Sequence, residues 1–219
     1  MNDISSQENR LFGPLSPELR LLVMRGTAVG YPRKALLFKE GELDDRVFIL
    51  MSGLIKVYSL SDPGSEITYE TLEPGALFGE ISMQGDARLA SAMALDDCIC
   101  VVLEREQLME HIAAEPSFAV CLWKQAITRS RKATQLVREL ALEDVYCRLA
   151  ATLEGGRNNP NHFPINAEGG MLATHKELAS KIGASREMVS RLLKDLAHGG
   201  FVKITPGHIQ VVRKLPSRW

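Results

Sequence analysis

The sequence predicts an α+β fold in three parts: a β-rich segment over 1–115, a long helix over 116–143, and a small unit of helices and a hairpin over 144–219. Three observations predict it. From about residue 30 to 105 the chain runs in short apolar or alternating stretches broken by turns, the texture of a β-sandwich, jelly roll or small barrel. After Pro116, "PSFAVCLWKQAITRSRKATQLVRELALEDV" contains no Gly or Pro beyond its first residue and carries apolar residues at helical spacing. Residues 172–212, "LATHKELASKIGASREMVSRLLKDLAHGGFVKITPGHIQVV", divide into helix, tight turn, helix and hairpin.

The 219 residues suffice for two modest domains, and 45% apolar against 24% charged residues is ordinary for packed, water-exposed domains. No window approaches the ~18 uninterrupted apolar residues of a spanning helix. The polar start "MNDISSQENRLF" lacks a basic and then apolar export signal, so no membrane or secreted location is expected. Cys98, Cys100, Cys121 and Cys147 show no framework spacing, which fits free thiols in a reducing cytoplasm. The net charge of −1 hides an asymmetry: residues 1–147 hold 15 basic and 22 acidic side chains, −7, while 148–219 hold 11 and 5, +6. A polyanion would therefore meet the C-terminal part.

Taken in order, "LSPELRLLVMRGTA" (15–28) predicts a short helix capped by Ser16. Strands are expected in "ALLF", "VFILMSGLIKVYSL", "EITYETL", "SAMAL" and "CICVVL". The turns between them are Lys39-Glu40-Gly41, Ser52-Gly53, Asp62-Pro63-Gly64, Glu73-Pro74-Gly75 and Gly85-Asp86. Cys98 and Cys100 share one strand face, as buried thiols would. Residues 106–112 predict a short helix before the long one. The long helix carries two apolar stripes: Leu122, Ala126, Ala133, Leu136, Leu140, and Val120, Trp123, Ile127, Thr134, Val137. A helix this apolar calls for a partner helix, but Arg129 interrupts the first stripe and leaves the register open. A further helix is expected at 143–153, then a loop in "EGGRNNPNHFPINAEGG".

In the C-terminal unit, Thr174 and Glu177 form a capping box, Gly183 breaks the first helix, and Ser185 caps the second. Leu178, Ala179 and Ile182, then Val189, Leu192, Leu193 and Leu196, face inward. Arg186, Glu187, Ser190 and Arg191 share the opposite face, and a Pro-Gly turn closes the hairpin wing. A helix-turn-helix lays its second helix in the major groove, where arginine pairs with guanine O6 and N7 and glutamate accepts from cytosine N4. Double-stranded DNA is the expected partner, contacted by Arg186, Glu187, Ser190, Arg191, Thr174 and Ser185.

"GASREMVSRLLKDL" resembles the recognition segment of the catabolite-activator/fumarate–nitrate-regulator superfamily of bacterial transcription factors, and the likeness extends over roughly 15–213. It implies a jelly-roll sensor, a dimerising helix and a winged helix, a homodimer acting on palindromic GTGA-like half-sites, and RNA polymerase as protein partner. By position, Arg186, Glu187 and Arg191 match the base-reading residues of the cyclic-AMP receptor branch. "LFKEGELDDRVFILMSGLIKVY" and "LEPGALFGEI" resemble the sensor's early strands and its approach to a phosphate cassette. The resemblance gives Glu80 a ribose hydroxyl and Arg88 a cyclic phosphate. Gly79, Ile81, Leu89, Ala90 and Thr134 fall at the remaining pocket positions. Leu89 stands where a Ser or Thr hydroxyl is expected, with Ser91 two positions on and sharing its strand face, and Ala133 replaces a threonine. Cyclic AMP or another cyclic nucleotide, a different small effector, and no effector all remain open; with no effector, Glu80 and Arg88 would form a structural ion pair.

Other chemistries fare worse. An iron–sulfur cluster needs several thiolates, and no cysteine precedes Cys98. All five histidines (His111, His162, His175, His198, His208) follow the last expected strand of the barrel, which disfavours a haem there and a metal-dependent jelly-roll enzyme. A nucleotide-binding subunit acting on a protein partner would leave the winged helix without a role.

Overall fold

The computed structural model describes residues 15–61, 66–155, 163, 165, 170–205 and 207–217. The polar N-terminal stretch, the Asp62-Pro63-Gly64 turn, most of the loop after Glu154 and Pro206 of the wing turn lie outside the described residues. The chain forms two compact units, Met1–Tyr58 with Glu70–Arg131, and Ser59–Tyr69 with Lys132–Trp219.

The first unit is built on two four-stranded sheets in the orders β1-β8-β3-β6 and β2-β7-β4-β5. The strands are β1 (Thr27–Tyr31), β2 (Leu36–Phe38), β3 (Val47–Ser52), β4 (Ile55–Leu60), β5 (Glu66–Leu72), β6 (Leu77–Phe78), β7 (Ser91–Ala94) and β8 (Cys98–Leu103). The ladders β1/β8, β3/β8, β3/β6, β2/β7 and β4/β7 are antiparallel, as in a jelly roll. The five sequence signals cover six of the eight strands. β1 and the two-residue β6 carried too little alternation to be seen.

β3 explains why "VFILM" is apolar without interruption. Side chains alternate across a strand. Phe48 and Leu50 enter the sandwich interior with Phe38, Ile55, Phe78, Cys98 and Cys100, while Val47, Ile49 and Met51 pack on the outside against helices. Those helices are α1 (Pro17–Val23), α2 (Arg105–Ala114) and the start of α3 (Pro116–Leu142), supplying Leu19, Leu22, Leu108 and Phe118. A strand covered on both faces has no polar positions to alternate with. Cys98 and Cys100 are buried free thiols, and burial pushes Cys100 up to about 12, so neither carries thiolate chemistry at neutral pH.

The first helix is shorter than its sequence signal. It ends at Val23, and Thr27 and Ala28 belong to β1, because Gly26 admits the close backbone approach to Val101 and Val102 that starts the strand. Ser16 is the N-cap by position but makes no side-chain cap bond; Pro17 at the first helical position already removes one donor.

His111 in α2 is 2% exposed, edge-on to Phe118 at 4.9 Å, and its Nε2 has no hydrogen-bond partner among the described residues. Burial, then the nearby Arg25, lower its pKa below 6.5 against weaker opposing effects of Glu115 and the Glu18 backbone. The folded state thus binds fewer protons than the unfolded state. Stability is full above the unfolded value and falls as pH drops through about 6.5 toward the lowered folded value. Thermal unfolding between pH 7.5 and 5 should show this slope, and His111→Leu should flatten it; an unchanged slope would show that other groups set it.

The second unit holds α4 (Val145–Glu154), α5 (His175–Ile182), α6 (Arg186–His198), β9 (Val202–Thr205) and β10 (His208–Val211), with the C-terminal part of α3. Its core joins Tyr146, Leu149 and Leu153 of α4 to Leu178, Ile182, Val189, Leu193, Leu196, Val202 and Ile209. Leu192 is only partly buried, at the border of that stripe. Reciprocal Met171–Ile209 backbone bonds of 2.7 and 2.9 Å extend the wing by one bridge. The end of β4 and the start of β5, within Ser59–Tyr69, also belong to this unit. There, Ser180 Oγ of α5 donates to Glu66 Oε1 at 2.6 Å and lies 2.6 Å from Thr68 Oγ1, so the buried hydroxyls are satisfied.

Candidate nucleic-acid interface and sensor pocket

The C-terminal site is built from the turn outward. Gly183 ends α5 in the left-handed region at φ +62°, and a Cβ there would lie 2.7 Å from Leu140 Cδ2. Arg148 Nε donates to the Ile182 carbonyl at 2.8 Å, tying the end of α5 to α4. At the other end of α5, Thr174 Oγ1 accepts from Glu177 N while Glu177 Oε2 accepts from Thr174 N at 2.7 Å. Ser185 Oγ accepts from Met188 N at 3.1 Å and starts α6. With Val189, Leu193 and Leu196 fully buried, the helical period leaves Arg186, Glu187 and Arg191 exposed on the first turns. Ser190 sits deeper: its Oγ is 2.9 Å from His175 Nδ1. The sequence reading missed His175, which reaches from the first position of α5 to hold a polar residue of the second helix.

The pocket residues lie where β6 ends. Gly79 takes φ +88°, and a Cβ there would stand 2.9 Å from an Arg88 guanidinium nitrogen and 3.0 Å from the Arg46 carbonyl. Only glycine accepts both that backbone and that approach. Glu80–Gln84 then form a single 3-10 turn, with Ile81 exposed. Arg88 is 3% exposed and lies over Phe38, its guanidinium carbon 4.1 Å from the ring centroid. Its nitrogens donate to the Gly79 carbonyl at 2.6 Å and the Arg46 carbonyl at 2.7 Å, and pair with Asp44 Oδ2 at 3.1 Å. Asp44 also takes Arg46 through Nε at 2.9 Å and a second guanidinium nitrogen at 3.2 Å. Burial alone would raise the Asp44 pKa; hydrogen bonds from the Arg46 side chain and backbone, then Arg88, outweigh it and bring it to about 2.

Glu80 and Arg88 are therefore not each other's partners. Glu80 Oε1 pairs with Arg129 of α3, which also donates to the Leu77 carbonyl at 2.6 Å and lies 3.5 Å from Glu70. Glu80 Oε2 is buried without a hydrogen-bond partner among the described residues. Arg129 is the second residue the sequence reading missed, although its signal was visible as the charge breaking an apolar stripe. Leu89 is 67% exposed and precedes β7, whereas Ser91 is buried within that strand and its Oγ accepts from Glu40 N at 3.0 Å. The shared strand face expected for these two does not exist, because the chain only becomes a strand at Ser91. Ala90 is partly covered, and Thr134 is exposed on α3 in the second unit. Among the described residues no cluster has the make-up of a metal site, and no helix is long and apolar enough to cross a membrane.

A jelly roll carrying a Gly-Glu…Arg cassette with its arginine buried, joined through one long helix to a winged helix-turn-helix, defines a sensor-coupled DNA-binding regulator. Residues 28–115 match the cyclic nucleotide-binding domain and residues 147–214 the Crp-like helix-turn-helix domain. The chain is 34% identical to the cyclic AMP receptor protein of Thermus thermophilus, covering 83% of this chain and 82% of that one. It is 28% identical to a CRP-like cAMP-activated global transcriptional regulator of Mycobacterium tuberculosis, over 93% and 92%. In fold it is similar to the c-di-GMP-responsive regulator CLP of Xanthomonas campestris, with a TM-score of 0.79 over 89% and 97% of the two chains at 21% identity. The chain belongs to the catabolite-activator/fumarate–nitrate-regulator superfamily: it is a transcription regulator and not an enzyme.

Proposed function

We propose that the protein is a cytoplasmic homodimer that binds palindromic DNA with GTGA-like half-sites and acts with RNA polymerase. Residues 144–219 read DNA, 116–143 pair the two chains, and 1–115 sense a small effector, with a cyclic nucleotide such as cyclic AMP as the favoured class. The observation that carries the reading is the exposure of Arg186, Glu187 and Arg191 on the capped first turns of α6, opposite a fully buried apolar stripe. Such a surface offers two bidentate donors for guanine and one acceptor for cytosine within reach of one half-site. Thr174 and Ser185, at the helix N-termini, are suited to phosphate contacts. The effector reading is supported by the nucleotide-binding domain match, by the buried Arg88 and by the partly buried Glu80–Arg129 pair. With Leu89 in place of a hydroxyl, the phosphate grip would fall on Arg88 and backbone amides.

Selection of binding sites from random duplex DNA tests the reading. An inverted repeat with GTGA-like halves centred about one helical turn apart is expected. Recovery of an unrelated or non-palindromic site would overturn it.

A further inference from the structure

The group placed to meet an effector's phosphate already has an anion of its own. Arg88 is almost fully buried, and the carboxylate of Asp44 stands 3.1 Å from it. Asp44 is itself held in place. It lies between β2 and β3 in a segment tied to the cassette: Gly41 N donates to the Arg88 carbonyl at 2.9 Å, Arg88 N donates to the Glu42 carbonyl at 2.8 Å, and Leu43 bridges Ala87. The Asp44 side chain is 13% exposed, and its pKa near 2 keeps it charged throughout the physiological range. Protonation therefore never releases Arg88.

We propose that Asp44 is a resident counter-anion that competes with the effector's phosphate for Arg88 and so sets which anions the sensor pocket accepts. This rests on the reading of the pocket as a phosphate site. Two anions on one buried guanidinium repel each other, so an incoming phosphate competes with Asp44 for Arg88. The displacement has a built-in destination. Asp44 already holds the half-exposed Arg46 in a two-point contact, so it leaves Arg88 without becoming an unpaired charge. A phosphate with further contacts, such as sugar hydroxyls on Glu80, completes the exchange; a bare anion does not. Asp44 is thus a specificity-determining residue acting at Arg88, with Arg46 as its alternate partner.

Calorimetric titration of the full chain with cyclic AMP, cyclic GMP and uncharged adenosine tests this, using the wild type, Asp44→Asn and Asp44→Ser. Removing the competing charge should tighten cyclic-nucleotide binding by about tenfold or more, on the scale of one charge-assisted contact. Adenosine should show no such gain, and adding Arg88→Gln should abolish it. A gain of equal size for adenosine would mean that Asp44 only shapes the pocket, and overturns the proposal. If the wild type binds a cyclic nucleotide and neither variant binds it more tightly, the proposal fails while the nucleotide reading stands. If no protein in the series binds any nucleotide, both fail. Retained operator binding by each variant shows that the chain is folded.

Discussion

Arg186→Ala and Arg191→Ala should each lower affinity for the selected operator by roughly 5- to 150-fold, the worth of about 1–3 kcal/mol for a bidentate arginine–guanine contact. The loss should be accompanied by relaxed preference at one base pair per half-site, while binding to random duplex falls much less. The reason is geometric. Both side chains lie on the exposed face of α6, and neither forms part of the buried stripe of Val189, Leu193 and Leu196. Truncating them removes contacts to the partner without opening a cavity, so thermal stability should stay within the ordinary range for surface changes. Competition assays on operators mutated one base pair at a time separate the two outcomes. A uniform loss across all sequences would make these arginines phosphate anchors, with a salt dependence lowered by about one counterion each. Unaltered affinity and preference would remove α6 from the recognition role altogether.

Much of the local geometry of this candidate interface was legible in the sequence because its determinants are local. A capping box, a glycine turn and a 3-4 apolar stripe each act within a few residues, and they place Thr174, Ser185 and Arg186 without long-range information. The pocket was legible only in part. Glu80 and Arg88 were visible as a lone acid and a lone base among glycines, but their partners Arg129 and Asp44 lie 49 and 44 residues away along the chain. No periodicity encodes which of several acids and bases the β-strands will bring together. Leu89 and Ser91 show the same limit at short range: alternation puts i and i+2 on one face only inside a strand, and here the strand begins at Ser91. His175 was missed because a histidine at the first position of a helix has no sequence signal beyond being polar.

Arg129 also settles how the long helix is divided. Its guanidinium serves Glu80, Glu70 and the Leu77 carbonyl, so at Arg129 the first stripe is used within the chain, while Ala126 and Ala133 on it stay exposed. Leu122, on that same stripe, packs against the first unit's core. The other stripe, Val120, Trp123, Ile127, Thr134 and Val137, follows a 3-4 spacing once Ser130 is counted, and all of its members are exposed. Trp123 and Val137 are 66% and 65% exposed, on a helix of 27 residues whose one buried side chain is Phe118. A second copy of α3 offers the same stripe, and self-complementary packing of this kind is how two-fold dimers form. Trp123→Ala should therefore weaken dimerisation by about 30-fold or more, the scale of a tryptophan hot spot of about 2 kcal/mol. Ile127→Asp, which sets two like charges at the seam, should give monomers at micromolar concentration. Sedimentation equilibrium reads both directly. On the proposed palindrome, held by two winged helices at once, loss of the proposed dimer should also reduce operator affinity far more than half-site affinity. Dimers that persist unchanged in Ile127→Asp would move the pairing surface away from this stripe.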